Sequence, residues 1–113
     1  MLATSMLRPL ATISRRATSS FNYRDLLDMN SQLTSEERTL MEETRGYCKE
    51  KLLPRVTEAY RTGKYDPTLF PEMGSMGLFG APYQGYGCAG TSNVGYGLIA
   101  REVEAIDSGY RST

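Results

Sequence analysis

The residues able to do chemistry in this 113-residue chain cluster between Gly80 and Thr113. Gly85-Tyr86-Gly87-Cys88-Ala89-Gly90 spells G-x-G-x-x-G, the glycine spacing of a dinucleotide-binding turn. That chemistry needs a strand leading into the glycines and a second strand ending at an acid, so that the pyrophosphate meets a helix N-terminus and the ribose meets a carboxylate. The acid at a suitable distance, Asp107, stands instead at the end of a helical pattern, and the match is read as accidental. No Lys-Ser or Lys-Thr pair is present to make a nucleoside triphosphate loop. Glu102, Glu104 and Asp107 have the right type for proton transfer, but acids on a helix are far more often solvated or paired. Histidine is absent, which excludes Ser-His-Asp and Cys-His catalysis within the chain. Cys48 and Cys88, forty positions apart with no further cysteine, make neither a zinc site nor a disulfide framework and read as free thiols. Any reaction therefore needs a cofactor or residues supplied from elsewhere.

These residues are carried by a helical pattern. Thr34-Ser35-Glu36-Glu37 is a capping box, with Leu33 where a hydrophobic staple would sit. Leu40, Thr44, Tyr47, Cys48 and Leu52 then recur at intervals of three and four, while Glu42, Glu43, Arg45, Lys49 and Glu50 fall mostly on the other face. Pro54 is expected to end or kink this helix, and Val56 to Arg61 to add one or two turns before Thr62-Gly63-Lys64. A short helix is predicted from Pro67, capped by Asp66, with Leu69, Phe70, Met73 and Met76 as its apolar face and with Leu78 and Phe79 turning inward after it. Ser92 caps a last helix from Asn93 to about Ile106, with Tyr96, Ile99, Val103 and Ile106 as its stripe and Leu98 and Ala105 adding apolar area beside it. Gly109 is placed where that helix stops. The class expected is all-α with short connections and no repeat. An apolar surface on two sides of the last helix makes the domain look incomplete.

The N-terminal residues 1–20 hold Arg8, Arg15 and Arg16 among serines and threonines, and the first acid is Asp25. That composition predicts a mitochondrial transit peptide cleaved between Arg16 and Phe21, with a disordered basic tail as the simpler alternative. Residues 21–33 read as an irregular docking leader in which Leu26, Leu27 and Met29 can lie against something. No run of about 18 apolar residues is present to span a bilayer. Lys plus Arg balances Asp plus Glu at 13 each, so no net field favours nucleic acid or an anionic membrane.

In this order of features the chain resembles the N-terminal helical region of the acyl-CoA dehydrogenase family, and within it the glutaryl-CoA branch, from about residue 33 to residue 113. The carriers are Tyr47-Cys48, Leu53-Pro54-Arg55, Glu72-Met73-Gly74 with Met76-Gly77, the Gly85 to Gly90 loop, Tyr96-Gly97-Leu98 with Ala100-Arg101-Glu102, and above all Asp107-Ser108-Gly109-Tyr110-Arg111-Ser112. The resemblance implies a mitochondrial matrix flavoenzyme that uses FAD to oxidise glutaryl-CoA and decarboxylates the product to crotonyl-CoA, in lysine and tryptophan catabolism. It implies a homotetramer that passes electrons to electron-transfer flavoprotein. It also implies that Arg111 contacts the distal carboxylate of the substrate and that Ser112 lines the acyl pocket. On the residues alone, an arginine just past a helix end has a simpler explanation, since its charge complements the helix dipole. The family's β-rich middle domain, most FAD contacts and the glutamate that removes the α-proton have no counterpart here. No catalytic, cofactor-binding or metal residue is assigned, and the 113 residues alone are expected to be inactive. Two alternatives stay open: another acyl-CoA dehydrogenase or oxidase, which Tyr110-Arg111-Ser112 argues against, and a free-standing helical binding module.

Overall fold

The computed structural model describes residues 21–112, so the expected transit peptide lies outside the described residues. The leader turns on Asp25, whose carboxylate oxygens accept from the N–H groups of Met29 at 2.8 Å and Asn30 at 2.9 Å. One 3-10 turn follows, Met29–Gln32. Phe21, Leu26, Leu27 and Met29 are all exposed, so the leader's apolar side chains are left uncovered by the rest of the described residues. The turn is held by its own polar groups and by one long contact, Arg38 donating to the carbonyl of Ser31 at 3.4 Å.

Helix α1, Ser35–Tyr47, begins at the expected capping box. Thr34 Oγ1 accepts from Glu37 N at 3.2 Å, and Glu37 Oε2 accepts from Thr34 N at 3.0 Å. The staple is incomplete, because the position that Leu33 would meet is Arg38. Thr44, Cys48 and Leu52 are buried and Leu40 and Tyr47 partly so, as the spacing predicted, and Met41 joins them. Pro54 does not end the helix. A π-helical turn, Cys48–Leu52, leads directly into α2, Leu53–Thr62. Widening the turn lets Leu53 N–H reach Cys48 O and leaves Pro54, which has no donor, at the start of a new ladder where none is needed. Gly63, at φ 63°, closes α2 in the left-handed conformation that glycine adopts without strain.

Helix α3, Leu69–Ser75, starts two residues later than expected, after a turn over Pro67 and Thr68 in which the Asp66 carboxylate accepts from the N–H and hydroxyl of Thr68 at 3.0 and 2.8 Å. Leu69, Met73 and Leu78 are buried, but Phe70 and Met76 are exposed and Phe79 is only partly covered. A two-turn helix presents one narrow face to its neighbours, and Phe70 instead packs between the rings of Tyr65 and Phe79, at centroid distances of 5.2 and 5.7 Å.

Helix α4, Asn93–Glu104, is capped by Ser92, whose hydroxyl accepts from Gly95 N at 3.0 Å. It packs along α1 and buries Leu98, Ile99, Glu102 and Val103. Tyr96 and Ala105 were placed on apolar faces but are exposed, with Tyr96 50% exposed. The helix stops at Glu104, before Gly109. Asp107, in extended conformation, restarts the chain as the cap of α5, Ser108–Arg111, by accepting from Gly109 N at 2.7 Å. The core is a single cluster of Cys48, Leu52, Leu69, Met73, Leu78, Ala81, Ile99, Val103 and Tyr110. Its fully buried leucines, Leu52 and Leu69, contribute about 1.5–3 kcal/mol each. Among the described residues no strand occurs, and no helix is long and apolar enough to cross a membrane.

Candidate functional site

The end of α3, the outer face of α4 and the turn of α5 enclose a cleft of about 280 Å³. Its lining mixes apolar side chains, from Met73, Leu78, Phe79 and Val103, with the rings of Tyr96 and Tyr110, and Arg111 and Ser112 lie on it. The two residues singled out by sequence therefore meet in one place. The Arg111 guanidinium is half exposed and donates from Nε to the carboxylate of Glu104, itself about half exposed. Ser112 is exposed, and its N–H completes the turn by donating to Ser108 O at 3.1 Å.

The acids named by residue type have separate destinations. Glu102 is buried and accepts from Arg45 at 2.9 and 3.0 Å and from Arg101 at 2.8 and 3.2 Å. The hydrogen bonds from Arg45 hold its carboxyl below the usual carboxylate range against the opposing effect of burial. A carboxylate so paired is a structural anion and not a proton acceptor. Asp107 is a helix cap, and Glu104 is the partner of Arg111. Sequence spacing concealed that last pair, because the two residues, seven positions apart, straddle the break after α4. Phe79 and Tyr96 were expected to turn inward and instead face the cleft, an exposure that periodicity could not separate from burial.

Both cysteines are free thiols. Burial pushes the Cys48 thiol up to about 11, so it stays protonated and unreactive at neutral pH. The glycine loop is closed by Thr91 N–H donating to Ala81 O at 2.7 Å and crossed by Gln84 Nε2 donating to Gly90 O at 3.3 Å. Gly85, Tyr86 and Gly87 are all left-handed, at φ 87°, 54° and 78°. With no strand before it among the described residues, the loop lacks the frame of a dinucleotide turn. Among the described residues no group of three or more His, Cys, Asp or Glu could hold a metal.

Chemically, the cleft is a mixed slot, with aliphatic and aromatic side chains, the guanidinium of Arg111 and the hydroxyl of Ser112 on its lining, and two tyrosines among its rings. It can hold a short hydrocarbon chain and orient an anionic end, because a planar guanidinium takes a carboxylate through two parallel hydrogen bonds. Among the described residues its lining has no carboxylate, lysine or cysteine. No FAD contact is assigned to the residues of this cleft.

Comparison with known proteins agrees with this architecture. The model of the acyl-CoA dehydrogenase N-terminal domain matches residues 34–113. A glutaryl-CoA dehydrogenase from Mycobacterium smegmatis, solved in complex with FADH2, is similar with a TM-score of 0.74 and 39% identity over 77% of this chain. A second structure of glutaryl-CoA dehydrogenase from the same organism has a TM-score of 0.73 and 41% identity over 78% of this chain. The chain spans 22% and 23% of the lengths of those two proteins. By its helical N-terminal domain, this chain belongs to the acyl-CoA dehydrogenase family.

Proposed function

We propose that these residues form the N-terminal helical part of an FAD-dependent glutaryl-CoA dehydrogenase that oxidises and decarboxylates glutaryl-CoA. In this reading Arg111 binds the distal carboxylate of the substrate and Ser112 lines the pocket beside it. The observation that carries it is a guanidinium on the lining of a partly apolar cleft, in a chain 39–41% identical to two glutaryl-CoA dehydrogenases. A substrate carboxylate would compete with Glu104 for Arg111, and exclusion of water by the apolar side chains of the lining would strengthen the new pair. A straight-chain acyl group would leave the guanidinium with Glu104 alone.

FAD, when bound in the complete enzyme, would accept the electrons of the oxidation, and its contacts are assigned to residues outside this chain. This chain's part is to orient and select the acyl group. Supply of the base, transfer of electrons to electron-transfer flavoprotein, assembly as a homotetramer and residence in the mitochondrial matrix belong to the same proposal, which rests on family resemblance. By itself the chain is proposed to have no turnover.

The test is Arg111→Lys in the full-length enzyme. Lysine keeps the charge but loses the two-pronged geometry, so preference for glutaryl-CoA over butyryl-CoA should fall at least about tenfold. Unchanged preference would remove Arg111 from the pocket and favour a straight-chain relative.

A further inference from the structure

α5 is a single turn of four residues, too short to be stable in water on its own. Contacts at both its ends and its centre hold it. Asp107 caps its first turn, Arg111 pairs with Glu104, and Tyr110 enters the core. The Arg111 pair is half solvated and therefore weak. Tyr110, only 8% exposed, is the deep attachment.

Its ring is also a shared wall. It lines the cleft that holds Arg111 and Ser112, a groove of about 440 Å³ shared with Arg55, Asp66 and Leu69, and a smaller hollow against Val56 and Ala59. The groove side is itself fixed, because Arg55 grips Glu72 through two hydrogen bonds of 3.0 and 3.1 Å and reaches Asp66 at 3.5 Å. Successive side chains on a helical turn point about 100° apart. Once Tyr110 is seated, the direction in which Arg111 leaves the backbone is set.

Resting on the reading of Arg111 as a substrate ligand, we propose that Tyr110 is a positioning residue whose buried ring aims Arg111 and Ser112 at the substrate carboxylate. The ring does not touch the carboxylate. Its shape, wedged between α2, α3 and α4, converts the packing of the core into the selectivity of the cleft.

The test measures kcat and KM for glutaryl-CoA and butyryl-CoA in the full-length enzyme. Tyr110→Leu, which leaves the seat half empty, should lower the glutaryl preference on the order of 10- to 100-fold, as expected for a misdirected binding group. The loss should lie mainly in KM for glutaryl-CoA and exceed any change seen with butyryl-CoA. Tyr110→Phe, which keeps the ring, should retain the preference. Leu52→Ala, a fully buried core change that does not line the cleft, should lower thermal stability without changing it. If Tyr110→Leu does not fold, Tyr110→Met fills the space with a flexible chain and is held to the same expectation. Retained preference in the leucine or methionine variant overturns the proposal, as does an equal loss in Leu52→Ala, which would make the effect general softening. Arg111→Gln separates the two ideas. If it too keeps the preference, the reading of Arg111 fails; if it alone loses the preference, only the role of Tyr110 fails.

Discussion

Two glycines inside helices have opposite expected responses to a single methyl group. Gly95 lies where α4 meets α1, and a Cβ there would stand 3.1 Å from Leu40 Cδ2 and closer still to Thr91 Oγ1. Gly46, inside α1, would meet nothing within 4 Å. Gly95→Ala should therefore destabilise the chain by about 1–3 kcal/mol, the usual cost of overpacking. Gly46→Ala should stabilise it by roughly 0.5–1 kcal/mol through higher helix propensity. Urea midpoints of the two variants should move in opposite directions, and a Gly95→Ala protein as stable as its parent would show that the helices can separate there at little cost.

Between elements, the α1–α4 pair is tied at both ends by side chains far apart in sequence. At one end the Glu37 carboxylate, already part of the α1 cap, accepts from the Ser92 hydroxyl at 2.8 Å, so the two helix starts share one anion. Ser92→Ala removes the α4 cap and this bridge together, and should cost about 1 kcal/mol. The expected sign is faster amide exchange at the N-termini of both α1 and α4; a change confined to α4 would mean the bridge does nothing. At the other end Arg45 grips Glu102. Glu102→Gln should cost about 1–3 kcal/mol, less than breaking a wholly buried pair because the Arg45 side chain is 41% exposed. The pH dependence has a definite sign. Hydrogen bonds to Arg45 lower the folded pKa of Glu102, and hydrogen bonds from Thr34 and Ser92 lower that of Glu37. Each group therefore contributes fully above its unfolded pKa, and that contribution is lost as pH falls through the lowered folded value. Helix signal by circular dichroism should be flat near neutrality and weaken in acid, and the acid loss should shrink in Glu102→Gln.

Over the whole molecule, the described surface carries a broad set of exposed apolar side chains: leader residues Leu26 and Leu27, the ring pair Phe70 and Phe79, and Tyr96 beside the cleft. The core opposite them is one modest cluster. The polypeptide alone should bind a hydrophobic dye and unfold over a broad temperature range despite a strong helix signal, whereas a sharp transition without dye binding would contradict this. The same balance explains what could be read in advance. Sequence by itself determined the helical class, the caps at Thr34 and Ser92, the stop at Gly63 and the buried row from Leu40 to Leu52, since each depends on groups within about four positions. It also brought Arg111 and Ser112 forward, through resemblance. Only the tertiary structure decided that Pro54 is absorbed by a wider turn, that Phe70, Met76 and Tyr96 face outward, and that Asp107 starts a turn before Gly109 can end one. It alone joined Arg45 to Glu102 across 57 positions and placed Arg111 and Ser112 on a partly apolar cleft. Local spacing records which side chains share a face; which face is covered, and which charges meet, depends on where the other helices pack.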